Sequence, residues 1–351
     1  MIEVDGSYGE GGGQVLRTAV ALAAVLSKDI HVFNIRAGRT EPGIRPQHMT
    51  GVKATAELCS GHLEGLGVGS TEFVFKPGKL RAGTFRFDVG TAGSITLVLQ
   101  TLMPILAFAP GPVQLEITGG TDVKWSPPFD YVRLVTLPIL KKIGYRGELE
   151  LVRRGHYPKG GGLVRFSTQG PSKLQPLTND KSGPMSRIHG ISHATALPRH
   201  VAERQATSAK KPLEEAKLPS PSIDVQVVDD GSQLSPGSGI VLSAEAQNGT
   251  ILGSDALGER GTPAEEVGLT AGNILVEEVR SGACLDRHMG DIIIPYLVIT
   301  NGKSEVSVSQ VTTHIVTNVK VAEWLTGVKF NLEGEIGTPG KLQVDGLKFS
   351  P

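Results

Sequence analysis

The sequence predicts an α/β (α+β) protein of tandem βα-repeat units, three plus a related fourth, with a small inserted α/β domain. Three observations predict it. Short β-branched or alternating runs and longer Ala/Leu-rich runs follow one another along the 351 residues. The plan of strand, Asp, Gly turn and apolar helix at Val4-Asp5-Gly6 returns at Phe87-Asp88-Val89-Gly90. A polar stretch rich in Pro, Gly and Ser, Gln169 to Ser186, opens a region of different texture that ends near residue 281. The expected division is 1–186 plus 282–351 for a repeat-built catalytic domain and 187–281 for the insert.

The first unit opens with strand Ile2–Val4, a loop with Gly6, Gly9, Gly11, Gly12 and Gly13, and an apolar helix from Gln14. Strand His31–Ile35, a basic loop to His48, a helix from Gln47 to Cys59 and strand Thr71–Phe75 complete it. Strand Phe85–Val89 and the helix ending at Phe108 form the second unit. The third has strand Val113–Thr118, a helix opened by Pro127-Pro128 and running to Ile143, and a hairpin of Glu148–Arg153 with Leu163–Ser167. In the insert we expect strands Ile188–Ala196, Ile223–Val228 and Ile240–Ala246, helices His200–Ala209 and Pro263–Arg280, and an exposed connector from Lys210 to Ser222. The fourth unit reads as helix Leu285–Ile299 kinked at Pro295, strand Glu305–Ser309, helix His314–Leu325 and a terminal strand Val328–Leu332.

Composition narrows the function. With 35 basic and 35 acidic residues the formal net charge is zero, which argues against a long electrostatic track along a nucleic-acid backbone but not against recognition of one end. Aromatic residues make up 5%, too few for a row of stacking platforms. Cys59 and Cys284, without a CxxC, exclude a disulfide framework and a cysteine zinc site, and both fall in apolar patterns that read as helical. The longest apolar run, Ala19 to Leu26, is too short to span a membrane, and no secretory pattern precedes the first strand. The expectation is a soluble cytoplasmic protein without a membrane partner; a homo-oligomer is left open.

A glycine loop that feeds a helix presents unpaired N–H groups to an anion. The pattern matches neither GxGxxG nor GxxxxGK[ST]. Two readings stand for the Asp5–Arg17 stretch. It is a tight turn with Glu10 solvated and Arg17 in a surface salt bridge, or a phosphate cradle in which a divalent cation sits between Glu10 and the anion. In Ile35–His48, Arg36, Arg39 and Arg45 are held by Gly38, Pro42, Gly43 and Pro46, and arginine forks match phosphate. Gln47 and His48 then begin a helix facing the same space. Gln100 is a polar residue among Leu97, Val98, Leu99, Leu102 and Met103; a ligand edge or neighbouring backbone would satisfy it. His288 and Asp291 in DRHMGD share a helical face. His314 stands at the mouth of a helix, where the dipole lowers its basicity and leaves it neutral and nucleophilic, or it is a capping histidine. The zincin HExxH and hydrolase GxSxG patterns are missing.

The stretches DGSYGEGGGQVLRTA, IRAGRTEPGIRPQH, GTAGSITLVLQT, GGTDVKWSPP, RGHYPKGGGLV and PRHVAER, in this order, resemble the motifs of the RNA 3′-terminal phosphate cyclases, and the resemblance runs from residue 2 to about 332. It implies tandem βα repeats with an α/β insert before the last. It implies ATP-dependent conversion of RNA 3′-phosphate ends to 2′,3′-cyclic phosphodiesters through histidine–AMP and RNA-adenylate intermediates. Residue by residue, His314 matches the nucleophile, and Gln100, His288, Met289, Gly290, Asp291 and Ile292 match ATP-binding positions. Pro127 matches a residue lining the adenine pocket, Glu10 a carboxylate associated with Mg²⁺ or Mn²⁺, and Arg17, Arg36, Arg39, Gln47 and His48 polar residues around the phosphates. His288 departs from the pattern, standing where a tyrosine is common. Two other readings compete. Ribosome-assembly relatives share the fold but lack the nucleophilic histidine, and enolpyruvyl transferases have a similar repeat architecture without the His314 or RGHYPKGGG motifs.

Overall fold

Three of the four four-stranded sheets in the computed structural model, which describes residues 1–347, share one plan. In the first, β1 (Ile2–Asp5) pairs parallel with β2 (Ile30–Phe33), and β4 (Phe73–Lys76) lies antiparallel between β2 and β3 (His62–Glu64). Helix α1 (Gly13–Leu26) makes the parallel crossover, and α2 (Pro46–Leu58) links β2 to β3. The second sheet repeats this as β5 (Gly83–Asp88), α3 (Ile95–Leu106), β6 (Val113–Gly119), a helical run, β7 (Gly147–Arg153) and β8 (Gly162–Thr168), in the order β5-β6-β8-β7. The run between β6 and β7 is α4 (Phe129–Tyr131), a π-turn over Val132–Thr136 and α5 (Leu137–Lys142). The segments read as second and third units from sequence thus lie in one sheet.

The third sheet is begun by β9 (Thr178–Asn179), inside the stretch expected to be a linker. The chain then leaves for a sheet of another order, β11-β10-β12-β13, made of β10 (Met185–Thr195), β11 (Ser222–Val228), β12 (Gly237–Ala246) and β13 (Ile251–Leu257). Helices α6 (Arg199–Glu215) and α7 (Ala264–Arg280) cover it, and Ile188, Leu213, Ile240, Leu242, Val267 and Leu275 pack there in a core of their own. After α8 (Arg287–Ile292) and α9 (Ile294–Ile299), β14 (Lys303–Val308) pairs parallel with β9, and α10 (Thr313–Thr326), β15 (Phe330–Glu333) and β16 (Gly340–Asp345) finish the repeat.

Several local expectations change. Helix α6 runs through Pro212 to Glu215, because Pro212 and Leu213 bury against α7; only Ala216 to Pro221 is left as connector. The expected helix Leu285–Ile299 is two helices divided at Ile293, and Leu285 bridges to Val308 instead. Cys284 lies outside a helix and Cys59 caps one; both are buried free thiols. Strand β3 is three residues long and β13 carries no clean alternation, so periodicity did not signal them, whereas β16 does alternate, with Leu342 and Val344 buried, and lies beyond the last strand expected. Among the described residues no helix is long and apolar enough to cross a membrane.

Helix α1 is apolar nearly all round, and it packs against α2, α3 and α10, drawn from all three repeats. That arrangement gathers the N-terminal ends of four helices. A Cβ on Gly13 would run into the His48 ring at the start of α2. Gln47 Oε1 accepts the backbone N–H of Ser94, the N-cap of α3, at 3.0 Å. Gly9, at φ +66°, lies against the Thr317 hydroxyl of α10, where no Cβ fits.

Candidate active site

The glycine loop is docked on α10 by Tyr8, whose ring meets Trp324 edge-on at 5.2 Å between centroids. Docking brings the Glu10 carboxylate to 3.2 Å from His314 Nε2. Behind the ring, Nδ1 lies 3.4 Å from Asp291 Oδ2, and the Thr312 hydroxyl donates to Oδ1 of the same carboxylate. Thr312 also N-caps α10 by accepting from Ile315 N–H, so one residue fixes both the helix start and the Asp291 rotamer. Asn318 donates to the Asp291 carbonyl at 2.9 Å and accepts from Thr18 of α1 at 2.7 Å, tying three helices behind the imidazole.

The basicity expected of His314 is reversed. The Asp291 contact chiefly raises its pKa, with Glu10 adding to the rise, against burial and Arg17. Two carboxylates within hydrogen-bonding range outweigh the partial charge of a helix end. A neutral ring therefore has to be won by deprotonation.

Opposite Glu10 stands a group of arginines. Arg39 reaches Glu10 at 3.4 Å. Arg36, at φ +55°, has its pKa lowered by burial and by Arg45 and Arg39, so the three forks share one field. Arg45 pairs with Glu41. Arg17 bonds to Gln14, not to a surface acid, and its Nε is shut off from solvent without a hydrogen-bond partner. Burial pushes the Arg17 guanidinium down to about 10, with Asp291 opposing. His48 is buried, and burial followed by Arg17, Arg36 and Arg45 pushes it down to about 3. Its Nδ1 accepts the Arg45 backbone N–H at 3.3 Å, so the neutral ring carries its proton on Nε2. Gln47 spends its oxygen on Ser94. A concentration of guanidinium charge at converging helix N-termini, with few carboxylates to balance it, is an arrangement that holds polyanions.

The other matched residues lie to one side. Pro127 accepts a hydrogen bond from Thr96 of α3 at 2.7 Å, and half-buried Gln100 lies one helical turn further along the same face of α3. His288 opens α8, with its ring edge-on to Tyr131 at 5.6 Å and Nε2 3.8 Å from Asp255 Oδ1. Burial raises the Asp255 carboxyl to about 6, against His288. Asp286, the α8 N-cap, accepts from His288 N–H, Met289 N–H, Gly253 N–H and the Tyr131 hydroxyl. Met289 and Ile292 are buried in the core, and a Cβ on Gly290 would meet Ile315 and Val308. Within DRHMGD, then, His288 and Asp291 serve different neighbourhoods.

Sequence reasoning passed over one charged group. Arg154, in the RGHYPKGGG turn, is buried and donates to Asp122 at 3.2 Å, Asp130 at 2.5 Å and Gln226 of β11 at 3.1 Å. The signal was Asp122 and Arg154 inside the quoted motifs and Asp130 two residues beyond one of them, but nothing in their spacing announced burial.

Fold and site together define an α/β repeat protein whose centre is a carboxylate-flanked histidine facing an arginine cluster. The family model for RNA 3′-terminal phosphate cyclase matches residues 8–332. RNA 3′-terminal phosphate cyclases of Methanopyrus kandleri and Thermococcus kodakarensis are 49% and 50% identical to this chain over 346 and 343 residues, covering 98% of each sequence. That of Pyrococcus furiosus is 48% identical over 344 residues, also 98% of both. The chain belongs to the RNA 3′-terminal phosphate cyclase family.

Proposed function

We propose that this protein converts an RNA 3′-phosphate end to a 2′,3′-cyclic phosphodiester with ATP, and that His314 carries the adenylate. The observation that supports it most is His314 held between Asp291 at Nδ1 and Glu10 at Nε2, with Arg39 reaching the same Glu10 oxygen. Asp291 orients the ring through Nδ1 and leaves the Nε2 lone pair for the α-phosphorus. An Nε2–P bond forms as the bond to the β-phosphate oxygen breaks, and pyrophosphate departs along the line of attack. Arg17, Arg36 and Arg39 meet the charge spread over the phosphoryl oxygens, while neutral His48 and Gln47 hold the helix end that faces them. An oxygen of the RNA 3′-phosphate then displaces the imidazole from phosphorus, giving an RNA adenylate. The vicinal 2′-hydroxyl attacks the 3′-phosphorus, AMP leaves, and the ring closes. DNA has no such hydroxyl.

Glu10 suits Mg²⁺ or Mn²⁺. It is a half-exposed carboxylate in a glycine loop, and such ions bind through one or two carboxylates plus substrate phosphates. When bound, the ion supplies positive charge to the phosphoryl oxygens. The adenine base would lie toward Pro127, Gln100 and His288, with Asp291 excluded from that pocket by its duty to His314. The same reading takes 1–186 with 282–351 as the catalytic domain, 187–281 as the insert, and the cytoplasm as the location.

Incubation with α-labelled ATP and Mg²⁺ tests it. A covalent AMP that is acid-labile, base-stable and abolished by His314→Ala is expected, with transfer to RNA bearing a 3′-phosphate but not a 3′-hydroxyl. An adduct that survives His314→Ala would remove the reading.

A further inference from the structure

Away from His314, three buried ligating side chains converge where the body meets the β10–β13 sheet. Asp122 follows β6, His156 belongs to the turn between β7 and β8, and His193 lies on β10. They are 3%, 4% and 1% exposed, and each offers a ligand atom within 4.8 Å of the others. The imidazoles face one another with centroids 5.4 Å apart and planes inclined by 27°.

Their nitrogens lack partners. Both ring nitrogens of His193 and Nε2 of His156 are enclosed without a hydrogen bond. A polar atom left so in the interior is destabilising, and three in one place call for an explanation. Room is made for them: a Cβ on Gly237 would collide with the His156 ring. Asp122 takes the Thr121 hydroxyl at 2.6 Å and Arg154 at 3.2 Å, and a carboxylate with about four acceptor positions can take another partner. Arg154 lies 3.2 Å from Asp122 and 2.5 Å from Asp130, and Arg133 meets Asp130 at 2.7 Å, so the two acids here are matched by two arginines.

We propose that Asp122, His156 and His193 form a buried site for one divalent transition-metal ion of the zinc type, which fastens the β10–β13 sheet to the body. Two imidazoles and a carboxylate suit Zn²⁺, and Co²⁺ as its spectroscopic substitute, whereas Mg²⁺ and Ca²⁺ take all-oxygen sets. Three protein ligands leave the fourth tetrahedral position for a water or other small ligand. Because Asp122 and His156 come from the body and His193 from the insert, the ion bridges the two, close to the pocket that begins at Pro127.

The full chain, stripped with a chelator and dialysed, is titrated with Zn²⁺ and with Co²⁺. One ion per chain, visible Co²⁺ d–d bands of tetrahedral type and a raised Tm with Zn²⁺ are expected. Glu10→Gln should keep all three. His193→Ala and His193→Phe, the latter filling the space of the ring without ligating, should both lose the bands and the Tm rise. Substoichiometric uptake by the unmutated chain, bands that persist in His193→Phe, or bands lost with Glu10→Gln would each overturn the site.

Discussion

His314 presents Nδ1 to Asp291 at 3.4 Å while Thr312 donates to the other oxygen of that carboxylate. The chain therefore fixes the far side of its imidazole with groups from α8 and the α10 cap, while Glu10 stands 3.2 Å from Nε2 on the near side. Since the Asp291 contact is the chief cause of the raised His314 pKa, the acid limb of adenylylation should report it. Only the neutral ring attacks, so the rate should climb with pH through that pKa. Asp291→Asn removes the main raising influence and should move the limb to lower pH. It should also lower the plateau by about 10²-fold, the scale of a misplaced reacting group. Single-turnover AMP transfer from pH 5 to 9 measures both, and a limb that stays in place would show that Asp291 does not govern the ring.

Gly9 gives a separate test of how the glycine loop reaches α10. Its φ of +66° costs a side chain about 1–2 kcal/mol, and a Cβ would also strike the Thr317 hydroxyl. Gly9→Ala should lose more than the backbone share alone. Adding Thr317→Ala, which deletes that hydroxyl, should restore the excess but not the share due to φ. Urea unfolding of the four chains gives the coupling, and strictly additive losses would mean that the loop had moved off α10.

The sequence made the glycine loop, the arginine loop and the histidine at a helix mouth legible because each is local: neighbouring residues carry both the signal and the cause. What joins them was not legible. His288 and Asp291 share a face by spacing, yet α8 is six residues long and its two faces serve Asp255 and His314. The partners of Asp291 stand at the start of α10, two helices further on and beyond anything periodicity reaches. The helix dipole alone gave the wrong direction for His314, because a contact carboxylate outranks it. Strand β13 escaped for a similar reason: ILGSDAL owes its pairing to a neighbour rather than to its own pattern.

The buried Arg154 should prove more important to folding than its motif suggests. It balances Asp122 and Asp130, both fully enclosed. Arg154→Met keeps much of the volume, strands the buried Asp122 and leaves Asp130 with Arg133 alone, a loss of about 3–5 kcal/mol near neutral pH. Stranded carboxylates titrate upward, so the loss should shrink as pH falls and they take up protons. Urea midpoints at pH 7.5 and 5 compare the two conditions; an equal loss at both would mean that packing, not charge, accounts for the effect.

His48 provides the last prediction, on stability against pH. Burial and then Arg17, Arg36 and Arg45 depress its pKa to about 3, below the value near 6.5 of an unfolded chain. The native ring stays neutral while the unfolded ring takes a proton. Its contribution is therefore intact above pH 6.5 and is lost as pH falls from there toward 3, by up to about 1.4 kcal/mol for each unit. Gln at this position keeps an acceptor for the Arg45 N–H and does not titrate. His48→Gln should be less stable than the parent at pH 7.5, having lost the ring packed against Gly13, and the gap should narrow steadily by pH 5. Thermal or urea unfolding of both chains across that interval reads the difference in slope. Parallel curves would mean that the imidazole is protonated among the arginines, and His48 would then have to be reassigned as a cation beside the phosphates.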